Sequence, residues 1–168
     1  LFDFLSGRNI YDMKLADLQT GTEVIWRDVP DGVVFNRIGY LAPCNDDASW
    51  LFNIAKFKTH SMGMTLCTKN LQGMVVAPYV HFCEGVDATK NRSEVERRVF
   101  NADFEQRIDE SYARHAAAGI PRWDRPGRDT AGGYGMETWA QRTLDSISVT
   151  PTGLNMIEGI YGRNGNGF

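Results

Sequence analysis

Residues 50–60, Trp-Leu-Phe-Asn-Ile-Ala-Lys-Phe-Lys-Thr-His, begin with an apolar run and end in a polar one. The apolar run, residues 50–54, is typical of a short buried strand. Residues 62–74 follow with helical character, and Gly63 and Gly73 could mark the ends of that helix. The order of strand, polar tip and helix predicts an α/β fold with a mainly parallel sheet flanked by helices.

The polar tip carries the first group of candidate functional residues. On an extended backbone, Lys56, Lys58 and His60 fall on one side, and three potential cations there favour binding of a phosphate or carboxylate. Ligand sites of open α/β sheets lie at the carboxyl ends of strands, where this tip is expected. The alternative interpretation is a solvated strand end.

Four further residues join this candidate site: Thr59, Thr65, Lys69 and Asn70. His60 is the candidate for proton transfer because an imidazole titrates near neutrality, and Lys69 is the second catalytic candidate. The other residues, with Lys56 and Lys58, are candidates for holding the ligand.

The second candidate segment is the glycine-rich stretch of residues 162–167, which follows a predicted strand over residues 154–161. Its G-x-x-G-x-G spacing differs from the dinucleotide fingerprint and from the P-loop. Glycines there allow close backbone approach to a ligand, although a plain loop is an equal alternative. Glu158, Arg163 and Asn166 are the ligand-binding candidates of this segment.

The two segments together resemble the domain of unknown function 362 family. Residues 53–60 with Thr65 and residues 69–73 are similar to its P-K-L-K-T-H … T … K-N-L-x-G core, with Ala55 where proline is usual. Residues 154–167 are similar to its L-x-I-x-D-G-I-x-G-x-x-G-x-G-P stretch, with Glu158 in place of aspartate. The resemblance implies one shared site at both segments, but it names no reaction. The cysteine-rich segment of iron–sulfur members is absent, so no such cluster is expected from this chain alone, and the cofactor stays open.

Composition limits the function classes further. The chain has 168 residues and a net charge of −3, which gives no support to a nucleic-acid surface. It contains no apolar run near the roughly 18 residues that a membrane span needs. A single α/β domain over residues 1–168 is expected, either whole or part of a larger one, with residues 119–135 as an inserted loop. Cytoplasmic and exported locations both remain open.

Two other function classes remain as alternatives. The first is a non-catalytic redox or assembly subunit that docks against a protein partner carrying segments missing here. The second is a metal site formed by His60, His81 and Cys83, whose side chains are of the types that bind zinc. Three cysteines cannot form a complete set of disulfides within the chain.

The remaining pattern predicts the other elements. Strands are expected over residues 24–26 and 33–40, with a turn at residues 30–32. A helix is expected from Ser93 to about Ala118, and another over residues 137–147.

Overall fold

The described part of the chain combines two small sheets with helices. A computed structural model describes residues 23–42, 44–60, 63–75, 99–119, 133–150 and 152–163. The strands and α-helices within these ranges are β1 Val24–Asp28, β2 Arg37–Leu41, β3 Phe52–His60, β4 Gly63–Thr65, α1 Cys67–Leu71, α2 Phe104–Ala117, α3 Gly133–Ser148 and β5 Leu154–Arg163. A 3-10 turn, Gln72–Met74, follows α1.

The first sheet is the antiparallel hairpin of β1 and β2, in register from Val24 opposite Leu41 to Asp28 opposite Arg37. The predicted turn at residues 30–32 is present, and Asp31 has a left-handed φ of 61°. Asp is one of the few non-glycine residues that adopt this conformation readily. Turn chemistry and strand propensity therefore agree in this hairpin.

The main apolar core lies between this hairpin and α2. Phe104 and Ile108 contribute from α2, one helical turn apart, and both are buried. The other buried members are Val24, Val29, Val34, Phe35, Ile38, Tyr40, Leu41, Val75 and Val99. Each fully buried large apolar side chain stabilises the fold by about 1.5–3 kcal/mol, so this cluster anchors the described part of the chain.

Helix α3 is fixed to the hairpin by one buried carboxylate. Asp145 accepts hydrogen bonds from the backbone N–H groups of Val33, Val34 and Phe35 at 3.0, 2.7 and 2.9 Å. Burial raises the pKa of the Asp145 carboxyl, and these three hydrogen bonds oppose the rise. The residues just before β2 therefore find their hydrogen-bond acceptor on a helix more than 100 positions later in the chain.

The second sheet has the strand order β4–β3–β5. Strand β4 pairs with β3 in antiparallel fashion, and β5 pairs with β3 in parallel fashion, starting with Phe52 opposite Leu154. Because β3 and β5 run the same way, their carboxyl ends meet at one edge of the sheet.

The predicted α/β class is confirmed, but the prediction of a mainly parallel sheet is wrong for the described residues. Their parallel pairing is confined to β3 and β5, while β1–β2 and β3–β4 are antiparallel. The difference arises at the polar tip. Strand β3 continues through the polar tip to His60, and the chain then turns back as β4. Successive side chains of a strand point to opposite faces, so a polar stretch can lie within a strand as well as after one.

Helix boundaries also differ from the prediction. The segment predicted as a helix over residues 62–74 begins as β4 and contains only the short α1 and its 3-10 turn. Helix α2 begins at Phe104 rather than at Ser93; residues 93–98 lie outside the described ranges. Phe100 instead forms a bridge with Phe35, which is incompatible with a helix through that point. The predictions for β1, α3 and β5 are confirmed, within a few residues at their ends.

Candidate functional site

Three candidate ligand residues occupy one row across the second sheet. Lys58 of β3 is paired with Thr65 of β4 on one side and with Arg163 of β5 on the other. His60 lies two positions further along β3, opposite Gly63. These pairings fix the backbone positions of Thr65, His60 and Arg163. The row brings together the polar tip and the start of the glycine-rich segment at one edge of the sheet.

Lys56 and Glu158 form an ion pair between β3 and β5, where they are opposite each other in register. Glu158 also accepts a hydrogen bond through Oε1 from the backbone N–H of Ile160 at 2.8 Å. The hydrogen bond from Lys56, followed by that from Ile160, lowers the pKa of the Glu158 carboxyl below its ordinary value. Glu158 is thus engaged by its own strand and by Lys56.

Strand β5 carries a bulge immediately beside this ion pair. Lys56 pairs with Glu158 and Lys58 with Arg163, so a single residue of β3 faces four residues of β5. The extra residues expose Ile160 and Tyr161, whose relative exposures are 81% and 78%. Bulges are frequent beside functional sites because they redirect side chains, and the Glu158 carboxylate stabilises this one.

The β3–β5 pair has two different faces. The covered face carries Asn53, Ala55, Asn155 and Ile157, and α1 lies against it. The open face carries Phe52, Ile54, Leu154 and Met156, followed by the Lys56–Glu158 pair. On β3, burial follows the strand alternation: Asn53 and Ala55 are each 3% exposed, whereas Ile54 is 51% exposed. On β5 it does not, since Met156 and Ile157 are 47% and 46% exposed.

Lys69 and Asn70 belong to the covered side of the sheet, away from Lys56. The Asn70 amide donates to Asn53 Oδ1 at 2.8 Å, which fixes α1 against the covered face. The Lys69 ammonium lies 5.7 Å from the centroid of the Trp139 ring on α3. The structure therefore separates Lys69 and Asn70 from Lys56 and Glu158. Thr59 is half-buried on β3, and Asn166 lies outside the described residues.

Sequence reasoning missed a chain of amide hydrogen bonds on the covered face. Asn53 Nδ2 donates to Asn155 Oδ1 at 2.8 Å, joining the two strands through their side chains. A signal was available in the sequence: each strand has a single asparagine just after its first apolar residue, in Phe52-Asn53 and Leu154-Asn155. A buried polar group in an apolar strand requires a partner, so the buried Asn53 could have been paired with Asn155.

A second polar cluster joins α2 to α3. Ser111 donates to Glu137 Oε1 at 2.6 Å, and His115 Nδ1 lies 2.7 Å from Glu137 Oε2. His115 reaches Glu137 from the surface of α2, where its side chain is 38% exposed. The serine hydroxyl donates to the carboxylate and not to the imidazole, so the cluster lacks the nucleophile–base contact of hydrolases. The cluster stabilises the packing of α2 against α3.

The metal hypothesis cannot be followed through the structure, because His81 and Cys83 lie outside the described residues. Within the described ranges, no group of three or more His, Cys, Asp or Glu side chains is arranged to hold a metal ion. Cys44 and Cys67 are both free thiols. None of the described helices is long and apolar enough to cross a membrane.

The fold and this row define a mixed α/β domain with two motif segments meeting at one sheet edge. A family model for a domain of unknown function, DUF362, matches residues 6–168. The chain belongs to the DUF362 family. No curated protein and no solved structure matches it.

Proposed function

We propose that this chain is a ligand-binding or enzymatic α/β domain whose basic site holds an anionic small molecule, a carboxylate or a phosphate. The observation that carries the proposal is the row of Thr65, Lys58 and Arg163, one residue from each of three adjacent strands. Two of the three residues are cationic, and a hydroxyl can add a further hydrogen bond to an anion.

Lys58 and Arg163 are the cations of the proposed site because the strand register places them in one row. Lys56 lies one alternation earlier on β3, and its charge is compensated by the Glu158 carboxylate of β5. His60 continues β3 beyond Lys58, and its imidazole is the group proposed for proton transfer, with the reaction itself left open.

The proposal is tested by titrating the protein with inorganic phosphate and with succinate while following the backbone amide resonances of Lys58, Thr65 and Arg163. Lys58→Gln is expected to weaken binding of the preferred anion about tenfold, the effect of one charge-assisted hydrogen bond. Lys69→Gln is the matched control, because it removes the same charge from the covered side of the sheet. Equal losses in both variants, or no binding of either anion by the unmodified protein, would exclude this site.

A non-catalytic assembly subunit is the second candidate, favoured by the open face of the β3–β5 pair. Trp50, beside Phe52, is 68% exposed, and the patch continues over Ile54, Leu154 and Met156. It amounts to an apolar surface on the order of 500 Å², the size at which exposed patches often serve association. Sedimentation velocity over a range of concentrations tests for self-association, and a monomer at every concentration would remove that form of assembly.

A further inference from the structure

The asparagines of the covered face form a hydrogen-bond chain with a defined direction. Backbone carbonyl oxygens only accept, so they fix the orientation of the amides that contact them. Asn53 Nδ2 donates to the carbonyl of Cys67 at 2.9 Å, and Asn70 Nδ2 donates to the carbonyl of Ile54 at 3.2 Å. The Nδ2 of Asn70 also donates to Asn53 Oδ1. The first step of the chain therefore runs from α1 to β3.

The hydrogen-bond chain continues through Asn155 to Thr152. Asn53 Nδ2 donates to Asn155 Oδ1, which leaves Asn155 Nδ2 to donate to Thr152 Oγ1 at 2.9 Å. The Thr152 oxygen is thus an acceptor, and its own hydrogen must point elsewhere. Within the described ranges this hydroxyl donates no hydrogen bond. Because each amide polarises the next, Thr152 is a strengthened donor at the end of the chain.

Thr152 lines a cavity of about 420 Å³ between α1, the end of α3 and the start of β5. The apolar wall of this cavity is formed by Leu66, Leu71, Ile147 and Ile157. Ile157 is 46% exposed although it lies on the covered face, which indicates that the cavity leaves its side chain without full packing. The volume falls within the range of small-molecule sites.

The chemistry of the lining selects the ligand class. The other polar contributors are Cys67, Thr68 and Asn155, so none of the lining side chains that the structure describes is charged. The Cys67 thiol donates to the carbonyl of Met156, and Asn155 is held within the amide chain. A charged ligand would lose its hydration without compensation there. A neutral molecule with an acceptor oxygen matches the Thr152 hydroxyl.

We propose that this cavity is a second binding site, separate from the basic row. It takes a small uncharged carbonyl compound, whose oxygen accepts from the Thr152 hydroxyl and whose hydrocarbon body contacts the apolar wall. Lys58, the member of the row whose side chain the structure describes, is not among the described residues that line the cavity.

The proposal is tested with two probes of similar shape, cyclohexanone and methylenecyclohexane, followed through the methyl resonances of Leu71, Ile147 and Ile157. Cyclohexanone is expected to bind with a dissociation constant on the order of 1 mM, and about tenfold more tightly than the hydrocarbon. Equal affinity of the two probes would overturn the role of the hydroxyl. No shift of the cavity methyl groups with either probe would overturn the site.

Variants separate the hydroxyl from the cavity itself. Thr152→Val should abolish the preference for the ketone, whereas Thr152→Ser, which restores the hydroxyl if valine disturbs the fold, should keep it. Ile147→Trp should fill the cavity and weaken both probes. Ile54→Thr, on the open face, is the matched control and should leave both affinities unchanged. Loss of the preference in the serine variant, or in the Ile54 control, would contradict the proposal.

Discussion

The two faces of the β3–β5 pair use the same backbone for opposite purposes. The covered face joins its strands to α1 through Asn53, Asn155 and Asn70, with every amide oriented by a partner. The open face presents Ile54 and Met156 at 51% and 47% exposure. On β3 a hydrophobic side chain, Ile54, is therefore exposed while the asparagine beside it, Asn53, is buried, the reverse of the usual distribution in a strand pair with one solvated face.

This inversion shows that burial alone does not decide which face holds the domain together. On the covered face, the pairing of β3, β5 and α1 depends on linked hydrogen bonds, and removing one amide weakens the others. On the open face, each half-exposed apolar side chain makes its own small contribution to the stability of the described part of the chain. Substitutions on the two faces should consequently differ by several kcal/mol although the residues are neighbours along one strand.

The largest effect is expected for Asn53→Ala. It removes the hydrogen bonds that Asn53 donates to Asn155 Oδ1 and to the Cys67 carbonyl and the one it accepts from Asn70, and each is worth about 0.5–1.5 kcal/mol. We expect the free energy of unfolding in urea to fall by about 3 kcal/mol. The neighbouring open-face change Ile54→Thr, which keeps a β-branched side chain, should cost about 0.5 kcal/mol. Similar losses in both variants would show that the faces do not differ.

A smaller effect is expected for Gly153→Ala, which probes how the open face holds Trp50. A Cβ at Gly153 would lie 2.2 Å from the Trp50 indole, so the ring must move away. Because the indole is 68% exposed it can swing outward, and the loss should be only about 1 kcal/mol.

A double-mutant cycle with Trp50→Ala measures this contact directly. In the Trp50→Ala background the Gly153→Ala substitution should cost almost nothing, since the clashing ring is gone. An undiminished cost there would mean that the backbone at Gly153, and not Trp50, is the source of strain.

Next in size are polar substitutions on the open face itself. Ile54→Thr combined with Met156→Thr should change the free energy of unfolding by less than about 1 kcal/mol, and should reduce any self-association seen by sedimentation. Ala55→Thr is the control on the covered face: it introduces the same residue where space is tight and should cost about 1–3 kcal/mol. Unchanged self-association in the double variant would exclude the open face as its surface.

The sequence predicted much of this arrangement and missed the part that depends on distant pairing. Propensity and turn chemistry were sufficient for β1, α3 and β5, because the information for each lies within a few residues. The length of β3 was underestimated, since Lys56-Phe-Lys-Thr-His60 reads equally well as a strand or as a polar tip until β4 and β5 pair with it. The antiparallel return of β4 is only three residues long and has no signature of its own.

The candidate site was predicted with similar limits. Alternation suggested Lys56 and Lys58 together, but not that Glu158 would be opposite Lys56 across 102 residues of chain. Nor could local spacing reveal that Lys69 lies over Trp139 on the other side of the sheet. Register between distant strands decides these neighbours, and it is set by the packing of the whole sheet.

The smallest effect is expected for Glu158→Gln, which removes the charge beside the bulge while keeping an oxygen that can accept from Ile160. A carboxyl whose folded pKa is lowered contributes stability above its unfolded pKa, and loses it as the pH falls through the folded pKa. The stability difference between the wild-type protein and Glu158→Gln should therefore be constant at neutral pH and shrink below about pH 4.5. Urea unfolding at a series of pH values measures it.

Lys56→Gln supplies the control for that experiment, because both partners of one ion pair should give the same pH dependence. Both differences should also shrink in high salt, since the pair is solvent-exposed. A difference that persists unchanged to pH 2 would show that the negative charge of Glu158 is not what stabilises this part of the sheet. Lys56 would then be available to the proposed anion site beside Lys58.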